Sequence, residues 1–150
     1  MNKPSTTKKS ATSCPSTYKT FSIALQALVF LNKQSNRCSS SDIASFLHSE
    51  ATVLRRIFAA LSREQIIQSR EGRDGGYRLG RNAESISLAD VYSALQIHDA
   101  ISDSMLDAVS VHCYGHQIND AFSDVLADIE ESTLCVLKSR TIADISGKTI

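Results

Sequence analysis

The sequence lacks several features that would place it in a common class of protein. It has no tryptophan, two prolines and six glycines among 150 residues. Its longest apolar run, 23–31, is interrupted by Gln26 and is too short to span a bilayer. Residues 1–17 are basic and rich in serine and threonine, without the apolar stretch of a signal peptide. We therefore expect a disordered arm at 1–17 in a cytoplasmic protein.

The motifs that would indicate an enzyme or a nucleotide-binding protein are also missing. There is no GxGxxG, no Walker lysine and no evident set of nucleophile, base and orienting group, so we expect no catalytic site. The cysteines lack CxxC spacing, which argues against a zinc site built from them alone. In a cytoplasm at least three of the four should be unpaired thiols. The four are Cys14, Cys38, Cys113 and Cys135.

The net charge is zero, yet the charges are unevenly distributed. Residues 1–81 carry 13 Lys and Arg against 5 Asp and Glu, a balance of +8, whereas residues 82–150 carry 3 against 11, a balance of −8. One explanation is chance clustering of solvated side chains, which would have no functional meaning. A basic half beside an acidic half instead suggests that one end of the molecule meets a polyanion.

The periodicity of apolar residues predicts three helices in the basic half. The first covers 21–31, the second covers 42–47 with Ser40 or Ser41 as its N-cap, and the third begins at Glu50. The predicted inward-facing residues are Phe21, Ala24, Leu25, Leu28 and Leu31 in the first, Ile43, Phe46 and Leu47 in the second, and Leu54, Ile57, Phe58 and Leu61 in the third.

The polar face of the third helix carries residue types that read DNA. After its expected cap, Ser49, this face presents Thr52, Arg55 and Arg56 in the first turns. Arginine can donate two hydrogen bonds to a guanine edge, and threonine can contact a base edge or a thymine methyl group. Any surface helix has a polar face, so this pattern alone leaves a merely solvated face open.

A basic, glycine-rich hairpin is predicted directly after the third helix. Ile66 and Ile67 should anchor a strand at 68–70, and Tyr77 and Leu79 should return the chain to the core. The tip between them reads EGRDGG, and its glycines permit positive φ and close backbone approach. A basic tip of this kind can enter a minor groove or contact phosphates. The arginines of the hairpin are Arg70, Arg73, Arg78 and Arg81.

Helix, turn, helix and hairpin in this order predict a mainly α fold with a small β-hairpin, a winged helix-turn-helix domain at 18–82. A linking segment at 83–116 should contain a helix capped by Ser87 and Asp90, then a loop with a short helix at 96–112. The residues that we assign to DNA binding are Ser49, Thr52, Arg55, Arg56, Arg70, Arg73, Gly75, Gly76 and Tyr77.

A long amphipathic helix is predicted near the end of the chain, at 117–138, before a tail at 139–150. Its apolar residues follow heptad-like spacing: Ile118, Phe122, Val125, Ile129 and Val136. So small a chain has little core for this helix to cover, so pairing with a second copy is the economical explanation. A two-fold dimer would present two wings to a palindromic site. Folding back onto its own domain is the alternative.

Seven segments between residues 18 and 145 match a known family in order: FSIALQALVFL, SSSDIASFL, VLRRIFAALSREQII, SREGRDGGYRL, ESISLADVYSAL, CYGHQI and TIADI. On these segments the chain resembles the Rrf2 family of bacterial winged-helix transcription regulators. The resemblance implies a dimer through the long helix, with a reading segment at 49–56 and a wing tip at 70–76. Glu71 stands where many members have arginine, which moves the minor-groove role to Arg70 or Arg73.

The resemblance also concerns a sensor. Better-known members hold an iron–sulfur cluster with three closely spaced cysteines before the long helix, whereas only Cys113 lies there in this chain, near His98, His112 and His116. One thiolate cannot anchor such a cluster, so we expect no cofactor. Cys113 could act as a thiol switch or be a structural cysteine. A metal on His112 and His116 would need a helix, which Gly115 disfavours.

Together these observations predict a transcription regulator, a repressor, that binds double-stranded DNA as a homodimer and responds to an oxidant or a small molecule. A winged-helix module that binds proteins instead of DNA is the alternative. DNA affinity that falls steeply with salt would favour the regulator, because such steepness reports phosphate contacts.

Overall fold

The computed structural model describes residues 14–109 and 115–147. Over these residues the chain forms seven α-helices, one antiparallel hairpin and a single 3₁₀ turn at Ala83–Ser85. The bounds are α1 Cys14–Asn32, α2 Ser40–Leu47, α3 Ala51–Arg63, β1 Ile67–Arg70, β2 Gly76–Leu79, α4 Leu88–Ala94, α5 Ile97–Val109, α6 Gly115–Lys138 and α7 Ile142–Gly147. The prediction of a mainly α fold with a small hairpin is confirmed.

The first helix is longer than its apolar pattern indicated. It begins at Cys14, inside the segment predicted as a disordered arm, and the rest of that arm, 1–13, lies outside the described residues. Among the helices that the structure describes, none combines the length and the apolar character that a bilayer crossing requires.

One apolar core joins the first three helices to the hairpin. α1 contributes Ala24, Ala27, Leu28 and Leu31, all buried, and α2 contributes Ile43. The buried face of α3 is the predicted one: Leu54, Ile57, Phe58 and Leu61. Fully burying a side chain of this size stabilises a fold by about 1.5–3 kcal/mol. This shared core therefore holds α3 and the hairpin in one rigid arrangement.

The N-cap of α2 is Ser39, one residue before the predicted candidates. Its Oγ accepts the Asp42 backbone N–H at 3.1 Å, and the Asp42 carboxylate accepts the Ser39 backbone N–H at 3.3 Å. This capping box places a carboxylate in the first turn, where the helix dipole favours it. The prediction of Ser40 or Ser41 as the N-cap was wrong, because of these three serines only Ser39 lies three residues before an acidic side chain.

Phe46 is the exception among the predicted inward-facing residues of α2. Its side chain is 61% exposed, and its ring stacks beside Phe30 with the centroids 4.5 Å apart. Ile43 is buried and Leu47 is half-buried, as expected. The prediction for Phe46 was wrong because its ring packs beside Phe30 at the surface instead of entering the core.

The linking segment contains more helix than its weak periodicity indicated. Ser87 and Asp90 form the predicted capping box at the start of α4. The segment predicted as a loop with a short helix, 96–112, contains α5, whose 13 residues make the helix longer than expected. Gln96 adopts φ +52° between the two helices, so the chain turns there without a glycine. Because no glycine or proline marks this turn, no clear boundary between α4 and α5 is visible in the sequence.

The predicted long helix is present as α6, and the predicted tail carries a further packed helix, α7. Thr141 caps α7, since its Oγ1 accepts the Asp144 N–H at 3.2 Å while Asp144 accepts the Thr141 N–H at 2.8 Å. Ile142 is fully buried, and its backbone N–H donates to the Ile86 carbonyl at 2.9 Å. The end of the chain thus completes the core of the winged domain.

Candidate nucleic-acid interface

The third helix divides sharply into a buried and an exposed face. Opposite its core residues, Thr52, Arg55 and Arg56 are exposed, as predicted, together with Ala59 and Arg63 further along. Arg56 also borders a groove of about 560 Å³ between α3 and the start of α5. The first turns of α3 therefore present two guanidinium groups and a hydroxyl to solvent.

The entry to α3 differs in one residue from the prediction. Glu50 is the N-cap, without a side-chain cap hydrogen bond, and the helix begins at Ala51. Ser49, the predicted cap, lies in the turn, where its N–H donates to the Ala44 carbonyl at 3.1 Å. The neighbouring His48 has φ +49°, a left-handed conformation that ends α2. The turn is thereby fixed by backbone hydrogen bonds.

The hairpin forms in the predicted place with a defined register. Ile67 pairs with Leu79 at its base, and Arg70 pairs with Gly76 beside the tip. Arg70 and Arg73 are exposed. Within the tip, the Gly75 N–H donates to the Gly72 carbonyl at 3.1 Å. The tip therefore projects an ordered turn beside α3 that carries two exposed arginines.

A third extended segment, missed by sequence reasoning, attaches the wing to the loop after α1. The Cys38 N–H donates to the Tyr77 carbonyl at 3.0 Å, and the Tyr77 N–H donates to the Cys38 carbonyl at 2.8 Å. The Tyr77 ring packs on Phe58 of α3, with the centroids 4.5 Å apart. Tyr77 thus fixes the wing relative to the recognition helix.

The two glycines that we assigned to DNA binding have clear structural roles. A Cβ on Gly75 would lie 2.3 Å from the Arg70 carbonyl oxygen. Gly76 has φ +124°, and its Cβ would lie 2.5 Å from the Cys38 carbonyl oxygen. Both positions need glycine for the close approach of two backbones. Whether they also touch DNA stays a prediction.

Arg37 is a wing residue that sequence reasoning missed. Its Nη1 donates to the carbonyls of Gln68 and Gly76, each at 3.3 Å, and so braces both strands. Arg78 lies across the strands, where its Nε and Nη2 donate to the Gln68 Oε1 at 3.1 and 2.9 Å. The partners of Arg37 are 31 and 39 residues away along the chain. Its positive charge was therefore the one feature of the sequence that could have indicated a role in this surface.

Apart from Arg81, whose Nη2 lies 3.8 Å from the Asp90 Oδ2, the arginines of this surface have no carboxylate partner among the described residues. Among the described residues, none of the arginines of α3, β1, the wing tip or Arg37 lies within 4.0 Å of a carboxylate oxygen. The pKa of Arg37 is lowered by partial desolvation first and then by the charges of Arg78 and Arg70. This surface therefore presents guanidinium groups to solvent that are not ion-paired within the described residues.

The long helix α6 leaves an apolar stripe uncovered. Its inner face packs on α4 and α5 through Leu126, which is buried. The predicted interface residues point elsewhere and are exposed large apolar side chains: Ile118, Phe122, Val125, Ile129 and Val136. Packing of α6 on its own domain therefore buries the side of the helix that carries Leu126. The side that was predicted as an interface remains exposed to solvent.

The sensor prediction falls mainly outside the described residues. This applies to Cys113 and His112, and no side-chain placement is described for His116. His98 lies on α5, where its Nδ1 is 3.0 Å from the Glu130 Oε2 and its Nε2 is 3.3 Å from the Ser102 Oγ. His98 is thus part of a polar contact between α5 and α6.

The described residues do not fit an iron site. In 14–109 and 115–147, no group of three or more His, Cys, Asp or Glu side chains could hold a metal ion. The Cys38 and Cys135 thiols are free, and burial, followed by the charge of Asp42, raises the pKa of Cys38. The absence of a cluster stays a prediction, because the segment containing Cys113 is not among these residues.

Comparison with known families identifies related sequences. The profile of the Rrf2 family, described as an iron-dependent transcriptional regulator, matches residues 17–148. A Rhodopseudomonas palustris protein named HTH-type transcriptional regulator BadM is 29% identical over 107 residues, which are 71% of this chain and 65% of BadM. Mycobacterium tuberculosis Rv1287, also named an HTH-type transcriptional regulator, is 32% identical over 61% of this chain and 55% of its own length. The chain thus spans less than two thirds of either relative.

Solved structures share the fold. IscR of T. potens superposes with a TM-score of 0.64 at 20% identity, covering 87% of this chain and 85% of that chain. CymR of B. subtilis, named as the global cysteine regulator, superposes with a TM-score of 0.60 at 19% identity, covering 87% of this chain and 95% of that chain. At these identities the comparison establishes the architecture alone.

Proposed function

The chain belongs to the Rrf2 family, and from that membership we propose that it is a sequence-specific DNA-binding transcription regulator. The observation that carries the proposal is the single basic surface that α3 and the wing form together. Tyr77 on Phe58 holds the two elements in register. Of its arginines only Arg81 pairs with a described carboxylate, that of Asp90, and those of α3, β1 and the wing tip do not. Such a surface suits a helix in the major groove with a basic tip beside it.

Roles within this surface follow from position. Arg55 and Arg56 in the first turns of α3 would contact base edges, since recognition helices read bases with their N-terminal residues. Arg70 and Arg73 at the wing tip would enter the minor groove or contact phosphates. Glu71 and Asp74, which alternate with these arginines, are exposed and carry the opposite charge, so the wing would bind through Arg70 and Arg73.

We further propose that the regulator acts as a homodimer on a palindromic operator. The exposed stripe on α6, centred on Val125 and Ile129, supports self-association, because apolar side chains of this size rarely line one helix face without a partner. A two-fold dimer through α6 would present two copies of α3 to one duplex. Bound at a promoter, such a dimer would act as a repressor.

The first test is binding to DNA. A labelled duplex of mixed sequence, about 30 base pairs long, should bind in dilute buffer and be released as salt rises, with log K falling linearly against log salt concentration. Absence of binding to this duplex and to pooled genomic fragments would refute the regulator. It would leave the winged-helix module that docks on proteins.

The second test is sequence reading by Arg56. Once fragments are selected from genomic DNA, Arg56→Ala should weaken binding to them by about 1–3 kcal/mol while weakening binding to the mixed duplex less. Arg63→Ala, on the same face at the end of α3, is the matched control and should keep the preference for selected DNA. An unchanged preference in Arg56→Ala would remove the base-reading role.

A further inference from the structure

One flank of the wing gathers three guanidinium groups around the junction with the loop after α1. Arg37 binds the wing backbone through Nη1 alone. A guanidinium has five N–H donors, and the remaining Nε and Nη2 donors of Arg37 have no acceptor among the described residues. Arg37 is therefore held in place by one nitrogen while its other nitrogens stay open to a ligand.

The charges of this flank are close enough to repel one another. Desolvation is the main cause that lowers the pKa of Arg37, and the charges of Arg78 and Arg70 lower it further. No carboxylate of the described residues lies within 4.0 Å of any of the three. Like charges held together in this way oppose folding unless an anion binds between them. The arrangement therefore favours an anionic ligand.

Arg37 also separates two polar hollows. One, of about 390 Å³, lies between the end of α1 and β2 and includes Asn36 and Arg78. The other, of about 740 Å³, lies behind β1 and includes Ser69 and Arg81. Hydroxyl, amide and guanidinium donors line both, and Arg81 is paired with Asp90 at 3.8 Å, so the donors around Arg37 are spread over several residues.

We propose that Arg37, Arg70 and Arg78 form a phosphate-binding flank of the wing, which holds the DNA backbone beyond the base pairs that α3 reads. This inference rests on the proposed DNA-binding function and extends it to residues that contact DNA regardless of sequence. The partner is the sugar–phosphate backbone of duplex DNA, because the donors are spread over several residues rather than enclosed in a single pocket.

The test measures the salt dependence of binding to the same mixed duplex. Arg37→Gln and Arg78→Gln should each reduce the magnitude of the slope of log K against log salt by about 0.9 for every phosphate that the variant no longer neutralises. The loss of affinity should be the same for every sequence. Arg140→Gln, at an exposed arginine between α6 and α7, is the matched control and should leave the slope unchanged.

A second variant separates phosphate binding from bracing of the wing. Arg37→Lys keeps the charge but loses the forked donors, so it should retain most of the salt slope. Should Arg37→Gln and Arg37→Lys lose affinity equally with unchanged slopes, Arg37 only supports the hairpin and the inference is wrong. If the wild-type protein binds no duplex, the proposed function itself fails. If the wild-type protein binds the duplex and no variant changes the salt slope, the proposed phosphate-binding flank is wrong while the proposed function stands.

Discussion

Gly76 joins three parts of the molecule at one residue: the tip of the wing, its second strand and the Cys38 segment. Its φ of +124° is rarely adopted by other residues, and the Cys38 carbonyl oxygen occupies the space where a Cβ would lie. We expect Gly76→Ala to lower the free energy of unfolding, measured with urea, by about 1–3 kcal/mol or more.

Gly72 provides the matched control for this prediction. It also has positive φ, +106°, but a Cβ there would meet nothing within 4 Å. Gly72→Ala should therefore show backbone strain alone and a smaller loss of stability than Gly76→Ala. Equal losses in the two variants would mean that the contact with Cys38 adds nothing.

A second residue-scale prediction concerns alkaline stability. Burial raises the pKa of Tyr92 to about 12, and the charge and the accepting oxygen of Glu130 add to the effect. The pKa of a tyrosine in an unfolded chain is about 10, so in this pH range the folded state keeps a proton that the unfolded state loses. The stabilisation is complete below about pH 10 and is lost as pH rises through about 12.

Urea unfolding at several alkaline pH values checks this prediction. Wild-type stability should decline more steeply between about pH 10 and 12 than that of Tyr92→Phe, which has no proton to lose. Tyr18→Phe should keep most of the steep decline, because the charge of Tyr18 is the smallest of the four causes that raise the pKa of Tyr92. Parallel curves for wild type and Tyr92→Phe would show that the phenol does not couple to folding in this window.

At this scale the sequence predicted side chains whose position depends on local spacing and missed those fixed by distant partners. The exposed Thr52, Arg55 and Arg56 follow from helix periodicity. Arg37 does not, because its carbonyl partners lie on strands far along the chain. Phe46 fits the apolar pattern of α2, yet tertiary packing leaves it outside the core.

Among the elements, α6 carries most of the exposed large apolar side chains of the described residues. At about 100° per residue, Leu126 and the exposed stripe belong to one broad apolar arc. The protomer covers the Leu126 side, and Val125, Ile129 and Val136 remain 50%, 54% and 64% exposed. The uncovered half continues directly from the core, as expected of a helix shared between two copies.

The prediction at this scale is that Val125→Asp yields monomers, because a charge in the centre of an apolar interface must be desolvated without a partner. Analytical ultracentrifugation measures the outcome. Ala127→Asp, an exposed position about 200° around the same helix, adds the same charge away from the stripe and should leave the dimer intact. A Val125→Asp dimer would place the interface elsewhere.

The elements found by sequence reasoning are those with strong periodicity or a clear cap. α4 was predicted from Ser87 and Asp90, and α6 from its apolar spacing. α5 follows a left-handed Gln96 with no glycine to mark the turn, and α7 is too short for periodicity to register. The Thr141 and Asp144 capping box was the available signal for α7.

On the scale of the whole molecule, the charge asymmetry gives the two halves separate tasks. The basic half, 1–81, contains the recognition helix and the wing, and the acidic half, 82–150, contains α6. Like-charged acidic surfaces keep α6 away from phosphates, so DNA can approach only the winged side. If α6 pairs with a second copy as proposed, its uncovered apolar stripe would bring two winged domains to the duplex together.

The salt slope of DNA binding should therefore depend on the dimer. The slope scales with the number of phosphates neutralised, about 0.9 for each, so two bound winged domains contribute twice the slope of one. We expect Val125→Asp monomers to bind the mixed duplex with about half the wild-type slope, whereas Ala127→Asp should keep the full slope. A monomer with the full slope would mean that one winged domain makes every phosphate contact. The partner would then serve only to raise the local concentration of domains, because it would neutralise no phosphate itself.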